Sequence, residues 1–166
     1  MKLAVGVHLH DEGAWAAAAA FDDWDAPEAT RTCLTRIAQV PKPARGTLDL
    51  RELPCILQLL REHALQPDTL VIDAAVYFDT AETPALGKHL YDALGGRTAI
   101  IGVSSRALPG LPAQYEVHRE DEARPVIVTC AGVDLGAAKV RIRAMHGKRR
   151  VPTLLKLATR LAKSAG

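Results

Sequence analysis

The sequence has few cysteines and few aromatic residues, and it contains no long apolar run. Its three cysteines are scattered, which argues against a disulfide framework or a C-x-x-C metal site and indicates a reducing, cytoplasmic location. Two Phe, two Trp and three Tyr give poor support for an aromatic platform that stacks single-stranded bases. The first apolar run stops at His8, so neither a signal peptide nor a membrane helix is predicted.

Acidic residues are missing from the end of the chain. Residues 1–134 carry 12 Lys and Arg against all 19 acids, a net charge of −7. From residue 135 onward there are nine Lys and Arg and no acid, a net charge of +9. Such an asymmetry is typical of a protein that meets a polyanion at one edge, since neutralised phosphates drive non-specific nucleic-acid binding. Two solvated basic helices packed on an acidic body would give the same pattern.

Length and composition predict one globular domain over residues 1–166. The chain is 48% hydrophobic and 24% charged, as in ordinary soluble proteins. Strands are predicted at Lys2–His10, Trp15–Phe21 and Thr30–Ala38, although the alanine run of the second favours a helix by propensity. These three strands would form an antiparallel meander.

The middle of the chain alternates between strand and helix patterns. An apolar stripe from Leu53 to Ala64 predicts a helix, with Asp49 as its cap and Glu52 completing a capping box. The other predicted elements are strands at 69–72, 98–103 and 125–130 and helices at 84–94, 135–145 and 153–162. This order predicts an α/β fold of the ribonuclease H-like type, with a mixed central sheet of a three-strand meander followed by parallel strands, flanked by helices.

Six segments follow one another in the order of the motifs of a known family. They are Val5-Gly6-Val7-His8, Gly46-Thr47-Leu48-Asp49-Leu50-Arg51-Glu52, Val71-Ile72-Asp73-Ala74-Ala75, Gly87-Lys88-His89-Leu90, Ile101-Gly102-Val103-Ser104-Ser105 and Val151–Thr159. In this order and spacing the chain resembles the endonuclease V family, whose members cut DNA or RNA near a deaminated purine such as inosine, in repair. No single motif is intact.

The resemblance implies a metal-dependent phosphodiester endonuclease. It assigns catalysis and the binding of Mg²⁺ or Mn²⁺ to Glu52, Asp73 and His8, of which His8 stands where the family has an aspartate. An imidazole suits Mn²⁺, Zn²⁺ or Fe²⁺ better than Mg²⁺, so the metal could be altered or absent. Glu52 could also act only as a helix cap, and Asp73 could cap a turn. His10 shares the face of His8 and is a weaker candidate ligand.

Other departures concern the nucleic acid, DNA or RNA, that the resemblance implies as a partner. The family's wedge falls on Lys42-Pro43-Ala44-Arg45, which has no aromatic residue to insert between bases. The glycine-rich loop of the base pocket has become Asp73-Ala74-Ala75-Val76, and the terminal His or Asp falls on Thr159. The candidate nucleic-acid-binding residues are Arg45, Arg106, Lys148, Arg149 and Arg150. The alternative is a catalytically inactive binding or interaction module.

Overall fold

The computed structural model describes residues 1–120 and 123–166 of the chain. Its strands are β1 (Lys2–His10), β2 (Gly13–Phe21), β3 (Arg31–Ile37), β4 (Thr69–Ile72), β5 (Ala99–Ser104), β6 (Glu116–Val117) and β7 (Val126–Ala131). Its α-helices are α1 (Glu52–Glu62), α2 (Leu86–Ala93), α3 (Leu135–Ala144) and α4 (Thr153–Ala165). In the part of the chain described, no helix is long and apolar enough to cross a membrane.

The seven strands form one mixed sheet in the order β3-β2-β1-β4-β5-β7-β6. The meander β1–β3 is antiparallel, and β1, β4 and β5 are mutually parallel. The predicted α/β, ribonuclease H-like fold class is confirmed. The last long strand, β7, runs antiparallel to β5, so the parallel part of the sheet consists of three strands. The carboxyl ends of those three strands meet at one edge, which is where functional groups collect in α/β sheets.

Each face of the sheet carries a hydrophobic core. On one face, α1 packs its buried Ile56 and Leu59 against Leu3 and Val5 of β1. On the other face, α4 packs Leu155 and Ala158 with Ala4 of the same strand. Alternation along β1 therefore sends odd-numbered side chains toward α1 and even-numbered ones toward α4.

The alanine run of β2 is a strand because tertiary packing overrides helix propensity. Every residue from Ala16 to Ala20 is at most 3% exposed, since β2 lies between β1 and β3 and is covered by helices on both faces. Small side chains on both faces let α1 and α4 approach the sheet closely. An isolated helix of seven residues would have left one face of this run in water.

The start of α1 differs from the predicted capping box. The helix begins at Glu52 itself, with Arg51 at the cap position and no side chain capping it. Asp49 instead accepts hydrogen bonds from the backbone amide of Arg51 at 3.1 Å and from its guanidinium at 2.9 and 2.6 Å. Capping therefore does not explain Glu52, whose side chain is left for another role.

Candidate functional site

Glu52 and Asp73 line one small pocket at the carboxyl edge of the parallel strands. Glu52 is supplied by the first turn of α1, and Asp73 follows β4 directly. The pocket has a volume of about 80 Å³. The residues around it are Val5, Gly6, Val7, Ile56, Ile72, Ala74, Leu86 and Thr159. Two acids that are 21 positions apart in sequence thus line the same small pocket.

The enclosure makes the charge of Glu52 costly. Its pKa is raised from 4.5 to about 7, first because burial removes water from the carboxylate and then because Asp73 and Asp49 repel its charge. The neighbouring Arg51 opposes this rise but does not cancel it. Near neutral pH this carboxyl therefore exists in both protonation states, which is a common property of functional carboxyls.

Asp73 lies at the mouth of the same pocket and keeps an exposed side. Loss of hydration on its protein side raises the pKa of its carboxyl, and the positive charge of Arg106 opposes that rise. Arg106 is exposed on the loop after β5, so it faces solvent and still acts electrostatically on Asp73. The structure therefore places the positive charge of Arg106 near Asp73, and its predicted role toward a phosphate stays a prediction.

His8 does not join Glu52 and Asp73. It lies on the even-numbered side of β1, which faces α4, and its ring stacks on that of His10 at a centroid distance of 6.1 Å. It is absent from the lining of the pocket, whereas its neighbour Val7 belongs to it. Over residues 1–120 and 123–166, no three His, Cys, Asp or Glu side chains group so as to hold a metal ion. The expected convergence of three ligands is therefore not found.

The position of β1 that meets the pocket from the α4 side is Gly6. Val5 pairs with Ile72 in the parallel register, so Gly6 lies level with Asp73, and His8 lies about 7 Å farther along the strand. A Cβ atom on Gly6 would lie 2.6 Å from the Cα and the backbone nitrogen of Thr159 in α4. Helix α4 thus occupies the space where a third side chain would enter the pocket.

These residues fit a hard divalent cation only in part. Mg²⁺ and Mn²⁺ take carboxylate oxygens, and Mg²⁺ is often held by one or two carboxylates with waters and substrate phosphates completing the shell. Glu52 and Asp73 supply such a pair. Thr159 contributes no acid, and its hydroxyl donates to the Lys156 carbonyl at 3.0 Å. The protein therefore offers two anionic ligands in this pocket, where the sequence resemblance led us to expect these two carboxylates together with the imidazole of His8.

The segment that follows β4 is packed into the protein instead of forming an open loop. Ala75 and Val76 are buried, and the Val76 amide donates to Oγ1 of the buried Thr129 at 2.8 Å. A Cβ on Gly102 of β5 would lie 2.2 Å from the Ala74 carbonyl oxygen, which shows how closely the segment lies on the sheet. The residues after Asp73 therefore do not form an open loop around it.

The five candidate nucleic-acid-binding residues occupy different environments. Arg45 is exposed in the connector before α1, and Lys148 and Arg149 are exposed in the loop between α3 and α4. Arg150 is half-buried, and its Nη2 donates to the carbonyls of Ser105 and Pro125 at 2.6 and 2.8 Å. Arg150 therefore ties the α3–α4 loop to the ends of β5 and β7, a structural role that its sequence context did not reveal.

The sequence analysis missed Arg119, the largest fully buried side chain among the described residues. Its guanidinium donates to five backbone carbonyls in and after the last turn of α3, those of Ile142, Met145, His146, Gly147 and Arg149. Burial lowers its pKa, and the carbonyl dipoles stabilise its charge. The residue shapes the loop that carries Lys148 and Arg149. An arginine between His118 and Glu120 gives no signal of burial in the sequence.

Comparison with solved structures first defines the class of protein. Endonuclease V from Ciona intestinalis, in complex with a 23mer DNA containing an inosine, matches with a TM-score of 0.74 at 17% identity, over 99% of this chain and 83% of that one. The catalytic domain of human endonuclease V matches with a TM-score of 0.72 at 19% identity, over 99% and 80%. The class is that of ribonuclease H-like α/β proteins.

Within that class, the chain has the fold of endonuclease V. The enzyme from Streptomyces avermitilis matches with a TM-score of 0.71 at 23% identity, over 99% of this chain and 79% of that one. The fold that the sequence resemblance implied is therefore confirmed, and at these identities the likeness establishes the fold alone. No protein-family description matches the sequence, and neither does any curated protein.

Proposed function

We propose that this chain is an endonuclease V-like protein that binds DNA or RNA through the phosphate backbone, with the strand passing over the pocket of Glu52 and Asp73. The observation that carries the proposal is the pairing of these two carboxyls in one pocket beside Arg106, at the functional edge of this fold. The Ciona intestinalis protein of the same fold is crystallised with an inosine-containing DNA.

The charge distribution supports backbone contact. All nine Lys and Arg of residues 135–166 lie on α3, on α4 or on the loop between them. Both helices pack on the same face of the sheet, so this excess of positive charge belongs to one side of the molecule. Contacts from Lys and Arg to phosphates position a strand without reading its bases.

A second candidate function is metal-dependent cleavage of the bound strand. The raised pKa values of Glu52 and Asp73 favour it, because a cation between two dehydrated carboxyls would relieve their burial and the repulsion of Glu52 by Asp73. A bound Mg²⁺ or Mn²⁺ would polarise the phosphate and lower the pKa of an attacking water. In this reading Glu52 and Asp73 hold the cation, and Arg106 neutralises phosphate charge.

Binding is tested by fluorescence anisotropy with labelled 20-nucleotide DNA and RNA strands at several salt concentrations. We expect measurable affinity at low salt and a steep loss as salt rises, because neutralising each phosphate releases counterions. An affinity that is undetectable at low salt, or unchanged by salt, would overturn the proposal. Sizing the products of the same strands on a denaturing gel with Mg²⁺ or Mn²⁺ then tests cleavage.

Binding of a cation by Glu52 and Asp73 is tested separately, by the effect of Mn²⁺ on the melting temperature. We expect Mn²⁺ to raise the melting temperature of the parent protein and Asp73→Asn to abolish that rise. Asp25→Asn is the matched control, because Asp25 is an exposed acid in the segment after β2. If Mn²⁺ has no effect on the parent, or if both variants behave alike, cleavage is ruled out and binding alone remains.

A further inference from the structure

We propose that a second concavity, beside the Glu52 and Asp73 pocket, seats one backbone phosphate of the bound strand. Four cationic side chains line it, Lys148 and Arg149 from the α3–α4 loop and Lys156 and Arg160 from α4. Its volume is about 220 Å³, and Gly147, Val151 and Thr153 complete the lining. We call this group of residues the cationic pocket. The inference rests on the proposed function, because it names where the strand is held.

The composition of the cationic pocket points to an anionic ligand. None of the described residues that line it is acidic, and three of its cations are Lys148, Lys156 and Arg160. The ion pairs found among the described residues include neither Lys148 nor Lys156 nor Arg160. Cations that line one cavity repel one another, and an anion bound among them reduces that repulsion.

The rim of the cationic pocket is held in shape before any ligand arrives. Thr153 donates its backbone amide to the His146 carbonyl at 2.9 Å, and its hydroxyl lies 3.0 Å from Nδ1 of His146. Gly147 has a φ of +116°, and a Cβ there would lie 2.6 Å from Oγ1 of Thr153. Arg119 binds the Gly147 carbonyl from below at 2.8 Å. A fixed loop loses little conformational freedom when a phosphate binds.

The position of the cationic pocket on α4 favours a nucleic-acid strand over a free phosphate. Thr159 of α4 lines the Glu52 and Asp73 pocket, and Lys156 and Arg160 flank it on the same helix. Three residues span about 4.5 Å along a helix axis, so the parts of α4 that line the two concavities lie within about one turn of each other along the helix. One extended strand can therefore reach both, with a phosphate at each.

The test compares two double variants that remove the same charge. Lys156→Gln/Arg160→Gln removes the α4 half of the cationic pocket, and Arg143→Gln/Lys163→Gln removes two exposed cations of α3 and α4 that do not line it. We expect the pocket variant to weaken binding of a 20-nucleotide single strand at least tenfold and the control less than threefold. The slope of log affinity against log salt should fall by about 0.7 in the pocket variant, the value for one lost phosphate contact.

Nuclear magnetic resonance titration of the parent with inorganic pyrophosphate locates the seat independently. We expect amide shifts confined to residues 147–156 in the parent and absent in Lys156→Gln/Arg160→Gln. Equal losses of strand affinity in the two double variants overturn the cationic pocket and leave the proposed function standing. A parent that shows the pyrophosphate shifts but binds no strand keeps the seat and overturns the proposed function. A parent that shows neither overturns both.

Discussion

At the scale of single residues, Glu52 differs from the exposed acids of the chain in its surroundings. Its carboxyl begins α1, makes no capping bond and lies beside a second acid in a dehydrated pocket. The fold therefore stabilises the protonated form of this group, and its negative charge opposes folding. Carboxyls that carry such a cost are common at functional sites, and under the proposed function a cation would offset it.

The free energy of unfolding should depend on pH through the ionisation of Glu52. Since its pKa rises from 4.5 to about 7 on folding, its contribution to the free energy of unfolding should fall as pH increases through that window. Above pH 7 the full cost is present, roughly 1–2 kcal/mol after allowance for partial solvent access. We expect Glu52→Gln to raise the melting temperature at pH 8 by about 2–6 °C, and to leave it unchanged at pH 4.

Calorimetric melting from pH 4 to pH 8 checks this expectation. Glu62→Gln is the matched control, because Glu62 is an exposed glutamate at the other end of the same helix. The same change in both variants would contradict the assigned role of burial. In addition, Asp73→Asn should lower the pKa of Glu52, measured by NMR titration, because it removes one of the charges that raise it.

Arg119 gives the second prediction at this scale. Its side chain is 1% exposed and satisfies five carbonyls, so Arg119→Met should leave buried acceptors without partners. We expect a loss of about 3–5 kcal/mol, by analogy with a broken buried charge network. Chemical denaturation measures it. Arg119→Lys should be nearly as harmful, since an ammonium cannot reproduce the five-donor fork. A lysine variant with parental stability would show that the charge alone matters.

At the scale of elements, the contact between α4 and β1 determines what the pocket can contain. The helix lies on Gly6 so closely that its backbone occupies the place of a Cβ atom. We expect Gly6→Ala to destabilise the protein by about 1–3 kcal/mol, the usual cost of overpacking, and denaturant unfolding provides the measurement. Gly136→Ala is the control, because only a side-chain oxygen of Asp134 lies near that glycine. Equal stability of the two variants would contradict the close packing.

The sequence predicts the elements well because their signals are local. Strand Thr69–Ile72 is found at its predicted bounds, and β1 matches as well, because short apolar or alternating runs between turn signals suffice to define them. The two-residue strand β6 was missed, since Glu116 and Val117 carry no periodic pattern. The antiparallel direction of β7 could not be predicted, because it depends on how the chain returns to β5 and not on a local sequence pattern.

The candidate site was predicted less completely because it depends on register. Glu52 and Asp73 were found through motif order, and the structure brings them together. The motif spacing pointed to His8, yet the pairing of Val5 with Ile72 places Gly6 at that level. Gly6 and His8 lie on the same face of β1 but about 7 Å apart, and no local sequence pattern indicates which of the two is level with Asp73.

At the scale of the whole molecule, the positively charged face and the segments that the resemblance links to base recognition have different properties. The positive charge collects on the α3 and α4 face, whereas the parts that would read a base are modified. The segment Asp73–Val76 is packed onto the sheet, and the exposed connector around Arg45 has no aromatic residue to insert. On the proposed function, these features favour holding a strand through its backbone over recognising one base in it.

This difference predicts little preference for deaminated bases. Two otherwise identical 20-nucleotide strands, one with a central deoxyinosine and one with deoxyadenosine, should bind with affinities within about threefold of each other. Each good base contact contributes about 1–3 kcal/mol to discrimination, and the packed segment Asp73–Val76 and the connector around Arg45 offer no aromatic residue or open loop for such a contact. Competition anisotropy with unlabelled strands measures the ratio. A tenfold preference for inosine would show that a base pocket forms by a route other than the Asp73–Val76 segment.

The atoms of α4 that would contact a Cβ at Gly6 belong to the main chain, so a substitution in α4 cannot remove them. A bulky side chain can be trimmed by a compensating mutation, but the Cα and amide nitrogen of residue 159 are present whatever amino acid is encoded there. An acidic side chain at Gly6 would require α4 to move away from β1 as a whole. No substitution within α4 relieves this contact, so an acid at Gly6 is compatible only with a different position of the helix.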